Sequence, residues 1–452
     1  MKKASLLNDY LNRYAAGLHW KIQADNLENI EQVVVIPAYA EKDLLFATLV
    51  SIAANDDASL EKTIIVCVVN HKADASTEVK ENNAQTLAIL SALIRKQSFS
   101  KLALAGDLHD SLQRIADRPL KLACIDASSH GFEIPPRVGG VGMARKIGMD
   151  MALRLLQNSG GPRLILSLDA DTLVQPDYLS AIRNVFLSGK TQTGIIAYEH
   201  QMPSDKIERA AICCYEIFLR YWVLGLQYAQ SPYAFYSIGS TIVTTADSYL
   251  AVRGMNRREA GEDFYFLNKL AKTGPISPIS ATRVYPSARI SARVPFGTGA
   301  AVEKIVSGVG QEQRLYDPRI FIILKAWIAV MKQSFNGSEH QILAKARDID
   351  IGLASFLVTR GFLAVWPKIR RNLNDQKTYE RQFHGWFDGF ETLKLINYLT
   401  REFYPRISLV SALKKIMEML DWDCPGGLPD ENFSTPADEM RILLYLRGMT
   451  NR

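Results

Sequence analysis

The chain has 452 residues, room for about three domain-sized units and comfortable for two. Hydrophobic residues make up 48% and charged residues 22%, a globular balance that excludes a disordered or fibrous chain. The formal net charge is +6, with no long Lys/Arg block and no repeating aromatic–basic module. Such a mild excess suits phosphorylated substrates or passing contact with anionic lipid, and gives no sign of a nucleic-acid partner.

The first 30 residues read as a helical segment, with Leu6, Leu7, Tyr10, Leu11, Tyr14 and Leu18 on one face. Asp9 and Arg13 interrupt any leader-like apolar core. Elsewhere Glu216, Arg220, Lys325 and Arg360 break the most apolar stretches before they could span a bilayer. Five cysteines, an odd number with no C-x-x-C pair, fit a reducing compartment. The expectation is a cytoplasmic protein, with peripheral contact to the inner face of a membrane left open.

From about residue 32 to 200 the chain alternates short apolar runs with helical stretches. Strands are expected at Val33–Ile36, Thr63–Val69, Leu122–Ile125 and Leu164–Leu168, with a helix from Val141 to Gln157. This rhythm predicts an α/β fold with a largely parallel sheet and right-handed crossovers. The strands are continuously apolar, as they must be when helices cover both faces. A helix near Ala210–Gln227, a strand Ile238–Val243 and a helix from Glu262 to about Lys272 follow, then an Arg- and Gly-rich stretch, Arg283–Gly299. After about Leu315 the pattern is helical to the end. The predicted organisation is a helical segment 1–30, an α/β domain 31–310 and a helical region 311–452.

The strand ending at Leu168 runs into Asp169-Ala-Asp171. In an extended segment residues i and i+2 face the same side, so both carboxylates could face one hard cation at the carboxyl end of the sheet. Mg²⁺ or Mn²⁺ commonly bridges such a carboxylate to a diphosphate. The alternative is that both aspartates merely cap the turn before a helix beginning near Pro176. Four further features join them. Pro37-Ala38-Tyr39, with Glu41 beyond, closes the first strand and could hold a planar base. Gly139-Gly-Val-Gly142 opens the helix carrying Arg145 and Lys146, where a helix start could attract phosphate. Glu262-Asp263 opens another helix, either favouring its dipole or supplying the base that an alcohol needs in order to attack. Arg289 and Arg293, four apart, would share one face if extended, and guanidinium suits phosphate.

In this order the motifs Val33–Glu41, Ala144–Gly148, Leu168–Thr172 and Gly261–Asp263 resemble the GT-A glycosyltransferases, nearest to the large, mostly inverting family 2. The resemblance covers about residues 32–275 and leaves the helical tail unexplained. It implies a GT-A fold and a nucleotide pocket lined by Pro37, Ala38, Tyr39 and Glu41, with Arg145 near the nucleotide or diphosphate. It further implies Asp169 facing the ribose or metal, Asp171 ligating Mn²⁺ or Mg²⁺, and Asp263 as base with Glu262 beside it. Where that family usually carries a base-reading Asp after the second strand, this chain has Asn70. Asn70 could still hydrogen-bond a base, but the base is left open. The expected activity is metal-dependent, inverting transfer of a sugar from a UDP- or GDP-sugar to an acceptor hydroxyl. A sugar-phosphate nucleotidyltransferase and a non-catalytic nucleotide-sugar-binding protein are the rivals. Nothing in the sequence names the acceptor or the oligomeric state.

Overall fold

The computed structural model describes residues 2–17, 19–99, 106–136, 139–290, 297–307, 314–371, 373–423 and 436–451. The α/β architecture is as expected. A central sheet contains β1 (Ile22–Ala24), β2 (Gln32–Ala38), β3 (Thr63–Asn70), β4 (Lys121–Ala127) and β5 (Leu164–Ser167), followed by β6 (Leu173–Val174), β7 (Thr193–Tyr198), β8 (Ile242–Thr245) and β9 (Ser277–Tyr285). Their spatial order is β1-β4-β3-β2-β5-β8-β7-β9-β6. The centre, β4-β3-β2-β5, is parallel throughout, and β8 enters antiparallel between β5 and β7.

Alternation along the strands explains their continuous hydrophobicity. Val34, Ile36, Ile65, Cys67 and Val69 point into one buried layer, with the Lys42–Ala53 and Thr77–Ile94 helices. Val33, Val35, Ile64, Val66 and Val68 point into the opposite layer, under the Gly140–Leu155 helix. That helix lies so close that a Cβ on Gly148 would sit 2.3 Å from Val35 Cγ1.

Several elements differ from the sequence reading. Residues 22–24, expected within a helical segment, form the edge strand β1, paired antiparallel to β4. Ile238–Val243 is split between a short 3-10 turn, Gly239–Thr241, and β8. Strands β7 and β9 were not singled out from the sequence. In β9 a polar, half-exposed pattern hides the strand, because it lies near the sheet edge beside only the two-residue β6. The helical region is interrupted by a small two-stranded sheet, Arg314–Leu315 with Ile407–Ser408.

The C-terminal helices share one core with the Lys206–Tyr228 helix, through Ile217, Tyr221, Leu224, Phe321, Trp327, Trp366 and Leu443. A buried charge cluster lies where the C-terminal helix, Pro436–Thr450, crosses that helix. Glu216 pairs with Arg220 at 2.7 Å, as their i,i+4 spacing predicts, and also with Arg447 at 2.7 Å and His200 Nδ1 at 2.9 Å. Burial opposes the Glu216 charge, but the bonds from Arg447 and His200 overcome it and hold the carboxyl well below its ordinary range. No described helix is long and apolar enough to cross a membrane. Cys67, Cys124, Cys213 and Cys214 are free and buried.

Candidate active site

A cleft of about 810 Å³ opens over the carboxyl ends of β2, β3 and β5. This is the end at which parallel α/β sheets bind ligands, because the loops there leave a crevice between helices. Pro37, Tyr39, Glu41, Asn70, Arg145, Asp169, Asp171, Glu262, Asp263 and Arg289 all line it. Ala38, expected in the pocket lining, is the last residue of β2, fully buried, and does not line the cleft. Arg293 lies outside the described residues.

Asp169 and Asp171 reach the cleft by a different route from the one expected. They stand in a turn after β5, with the Thr172 amide donating to the Asp169 carbonyl at 3.2 Å. Thr48 Oγ1 pins the turn through the Ala170 carbonyl at 2.9 Å, and Gln201 pins it through the Asp171 carbonyl at 3.0 Å. Neither carboxylate caps a helix. Asp169 Oδ1 accepts from Arg145 at 2.5 Å, and Asp171 Oδ2 accepts from Arg289 Nε at 3.0 Å. Burial and the neighbouring Asp169 push the Asp171 carboxyl up to about 6.

Arg145 does not offer a phosphate contact. It is buried, and its donors go to protein: Nε to Glu262 at 3.0 Å, Nη1 to Ser167 at 2.5 Å and to the Gly239 carbonyl at 3.3 Å, Nη2 to Asp169. Burial works against its charge, but Asp169 and Glu262 outweigh that and raise its pKa further. The guanidinium fork thus fixes Asp169 and Glu262 relative to each other. It can lie there because residue 239 is glycine, where a Cβ would fall 2.2 Å from Arg145 Nη2. Lys146 also fails the phosphate expectation. It points to the opposite side, buried against Asp150 at 3.2 Å and Tyr10 at 2.8 Å, and ties the N-terminal helix to the domain.

Two of the glycines at the start of this helix, Gly139 and Gly142, serve packing. A Cβ on Gly142 would meet the Arg258 carbonyl oxygen at 2.4 Å, and the Gly142 amide donates to that oxygen at 3.2 Å. The Arg258 backbone thus covers Gly139 and Gly142, while Gly140 and Val141 stay open to the cleft.

Glu262 is buried in its pair with Arg145, whereas Asp263 is half-buried and lines the cleft. Asp263 accepts only the adjacent Phe264 amide, at 2.7 Å, and makes no ion pair among the described residues. Burial and the Glu262 charge push its carboxyl up to about 7. A carboxylate poised near neutrality can take a proton in that range. Asn70 spends both amide hydrogens on the Ala38 and Val68 carbonyls, at 3.2 and 3.1 Å, so only its oxygen is left for a base.

Sequence reasoning missed Lys72 and Glu259, which pair with each other while lining the cleft, and Thr298 on its wall; Tyr215, which opens the aromatic segment Tyr215–Tyr236 where an acceptor wall could lie, also lines it. No local motif marks these three; folding alone brings residues 72, 259 and 298 to one opening.

Among the described lining residues, seven carboxylates (Glu41, Asp74, Asp169, Asp171, Glu259, Glu262, Asp263) face three cations (Lys72, Arg145, Arg289). Such an excess of carboxylates works against the entry of two phosphate charges. Among the described residues no group of three or more His, Cys, Asp or Glu side chains could hold a metal ion. Asp169 and Asp171 nevertheless fit a hard divalent ion, which typically takes one or two carboxylates and completes its shell with substrate phosphates and water.

No protein-family model and no curated protein matches the chain. Among solved structures, S. aureus TarS 1-349 in complex with UDP-GlcNAc is similar at 13% identity, with a TM-score of 0.37, over 79% of this chain and 92% of that one. The mannosyltransferase PcManGT from Pyrobaculum calidifontis, in complex with GDP-Man and Mn²⁺, is similar at 14% identity, with a TM-score of 0.35, over 86% and 96%. Likenesses this loose carry no argument about the chemistry of this chain.

Proposed function

We propose that the protein transfers a glycosyl group from a nucleoside-diphosphate sugar, a UDP- or GDP-sugar, to an acceptor hydroxyl with inversion, on a GT-A type scaffold. One observation carries the reading. A carboxylate shifted toward neutrality, Asp263, shares a cleft with an acidic turn, Asp169–Asp171. A Mn²⁺ or Mg²⁺ held by Asp171 and Asp169 would offset the charge on the departing nucleoside diphosphate. Tyr39 and the Asn70 oxygen lie where a nucleobase could stack and hydrogen-bond. Asp263 takes the proton of the acceptor hydroxyl as its oxygen bonds the anomeric carbon. The bond from that carbon to the phosphate oxygen breaks with its electron pair on the leaving group. Arg145 and Glu262 act indirectly, holding Asp169 and the start of the Glu262–Ala271 helix in place.

Thermal shift with a panel of nucleoside diphosphates, with and without Mn²⁺, tests the binding half. One nucleotide should stabilise the wild type selectively, and only with the metal, by mass action. Asp171→Ala should abolish the shift. A panel with no stabilising nucleotide defeats the reading. Release of pyrophosphate from a nucleoside triphosphate would point to nucleotidyl transfer instead, and a product retaining the donor's anomeric configuration would remove Asp263 as base.

A further inference from the structure

Arg289 differs from Arg145 in a way that points to a moving part. Its Nε donates to Asp171 Oδ2 at 3.0 Å and its Nη2 to Glu41, so one guanidinium joins the turn after β5 to the turn after β2. It is about one-third exposed, where Arg145 is buried, and only two of its five N–H donors are engaged with described side chains. Its backbone is anchored just beyond β9, where its amide donates to Ser287 Oγ at 3.2 Å. The side chain can therefore swing while its root stays fixed.

Two cations compete for one carboxylate here. Asp171, Asp169 and Glu41 repel one another in a partly desolvated space, and Arg289 relieves that repulsion. A divalent ion at Asp171 would do the same with twice the charge. A diphosphate arriving with it offers a guanidinium a bidentate partner as good as the carboxylate it leaves.

We propose that Arg289 is a resident counter-ion of the cleft, which a divalent cation displaces from Asp171 and which then grips the phosphates of the bound nucleotide. The proposal rests on the metal–nucleotide reading above. It makes metal and nucleotide binding mutually reinforcing, because each supplies the partner that releases Arg289 from its resting pair.

Mn²⁺ binding to the full chain, followed by the electron paramagnetic resonance of free Mn²⁺, tests it in wild type, Arg289→Gln and Arg289→Lys. Without nucleotide, Arg289→Gln should bind Mn²⁺ roughly tenfold more tightly than wild type, the scale of one charge-assisted hydrogen bond removed from competition. With Mn²⁺ present, the same variant should bind UDP or GDP roughly tenfold more weakly. Arg289→Lys keeps the charge but cannot bridge two carboxylates, so its Mn²⁺ affinity should fall between the two and serves if the glutamine variant folds poorly. Equal or weaker Mn²⁺ binding by both variants, with wild-type binding intact, overturns the counter-ion role and leaves the metal–nucleotide reading standing. Unchanged nucleotide affinity overturns the transfer to phosphate. No Mn²⁺ binding by wild type, with or without UDP or GDP, overturns this proposal and the proposed function together.

Discussion

Replacing Asp263 by Asn is the most informative single change, because stability and turnover should move in opposite directions. The carboxyl is raised from an ordinary 3.8 to about 7 by burial and by Glu262. An acid raised on folding loses native stability as pH climbs between those two values, since the unfolded chain ionises first. The full difference corresponds to at most ~4 kcal/mol; half-burial in a solvated cleft and sharing with Glu262 reduce it to roughly 2 kcal/mol. Asn has no charge to bury. Asp263→Asn should therefore match wild type near pH 4 and exceed it by roughly 2 kcal/mol at pH 8, a rise in Tm of a few degrees by scanning calorimetry. Turnover should fall by about 10²- to 10⁴-fold, the usual contribution of a general base, and wild-type rate should rise with pH through neutrality. An equal Tm for the two proteins at pH 8, or a stability gain that does not grow with pH, would refute the electrostatic argument. A variant with near-normal turnover would refute the role as base.

Gly239→Ala would place a Cβ 2.2 Å from Arg145 Nη2 and force the guanidinium away from Asp169. A loss of ~1–3 kcal/mol by urea unfolding is expected, together with weaker metal-dependent nucleotide binding; a neutral effect on both would mean that Arg145 does not position Asp169. Glu216→Gln removes the charge that Arg220, Arg447 and His200 share in the core. It should cost about 3–5 kcal/mol, with faster amide exchange in the Pro436–Thr450 helix than in β2 or β3. Unchanged exchange in that helix would show that the ion cluster does not fasten it.

The sequence was most readable where physics is local. Strands β2 to β5 are buried on both faces, so apolar runs marked them; β2 and β4 extend the expected segments by one residue at the start and two at the end, and β3 by one at its end. Strand β9 was silent because its exposed positions, Pro278, Ser280 and Ala281, and its buried Thr282 break any apolar run or alternation. Strand β1 was silent because three residues leave no period to detect.

The amino-acid order by itself determined the alternating α/β core, the aspartate pair 169 and 171 just past a strand, and the carboxylate pair at 262–263. Each is written in a short run of neighbours whose chemistry needs no distant partner. Only the folded chain decided what those groups do to one another. It buried Arg145 between Asp169 and Glu262, left Asp263 facing the cleft without an ion pair among the described residues, and packed Gly139 and Gly142 on the Arg258 backbone. It also seated Arg289 on Asp171 and Glu41 from 118 and 248 residues away. Charges interact through space and dielectric rather than along the chain, so which carboxylate is neutralised and which is poised is a property of the packing.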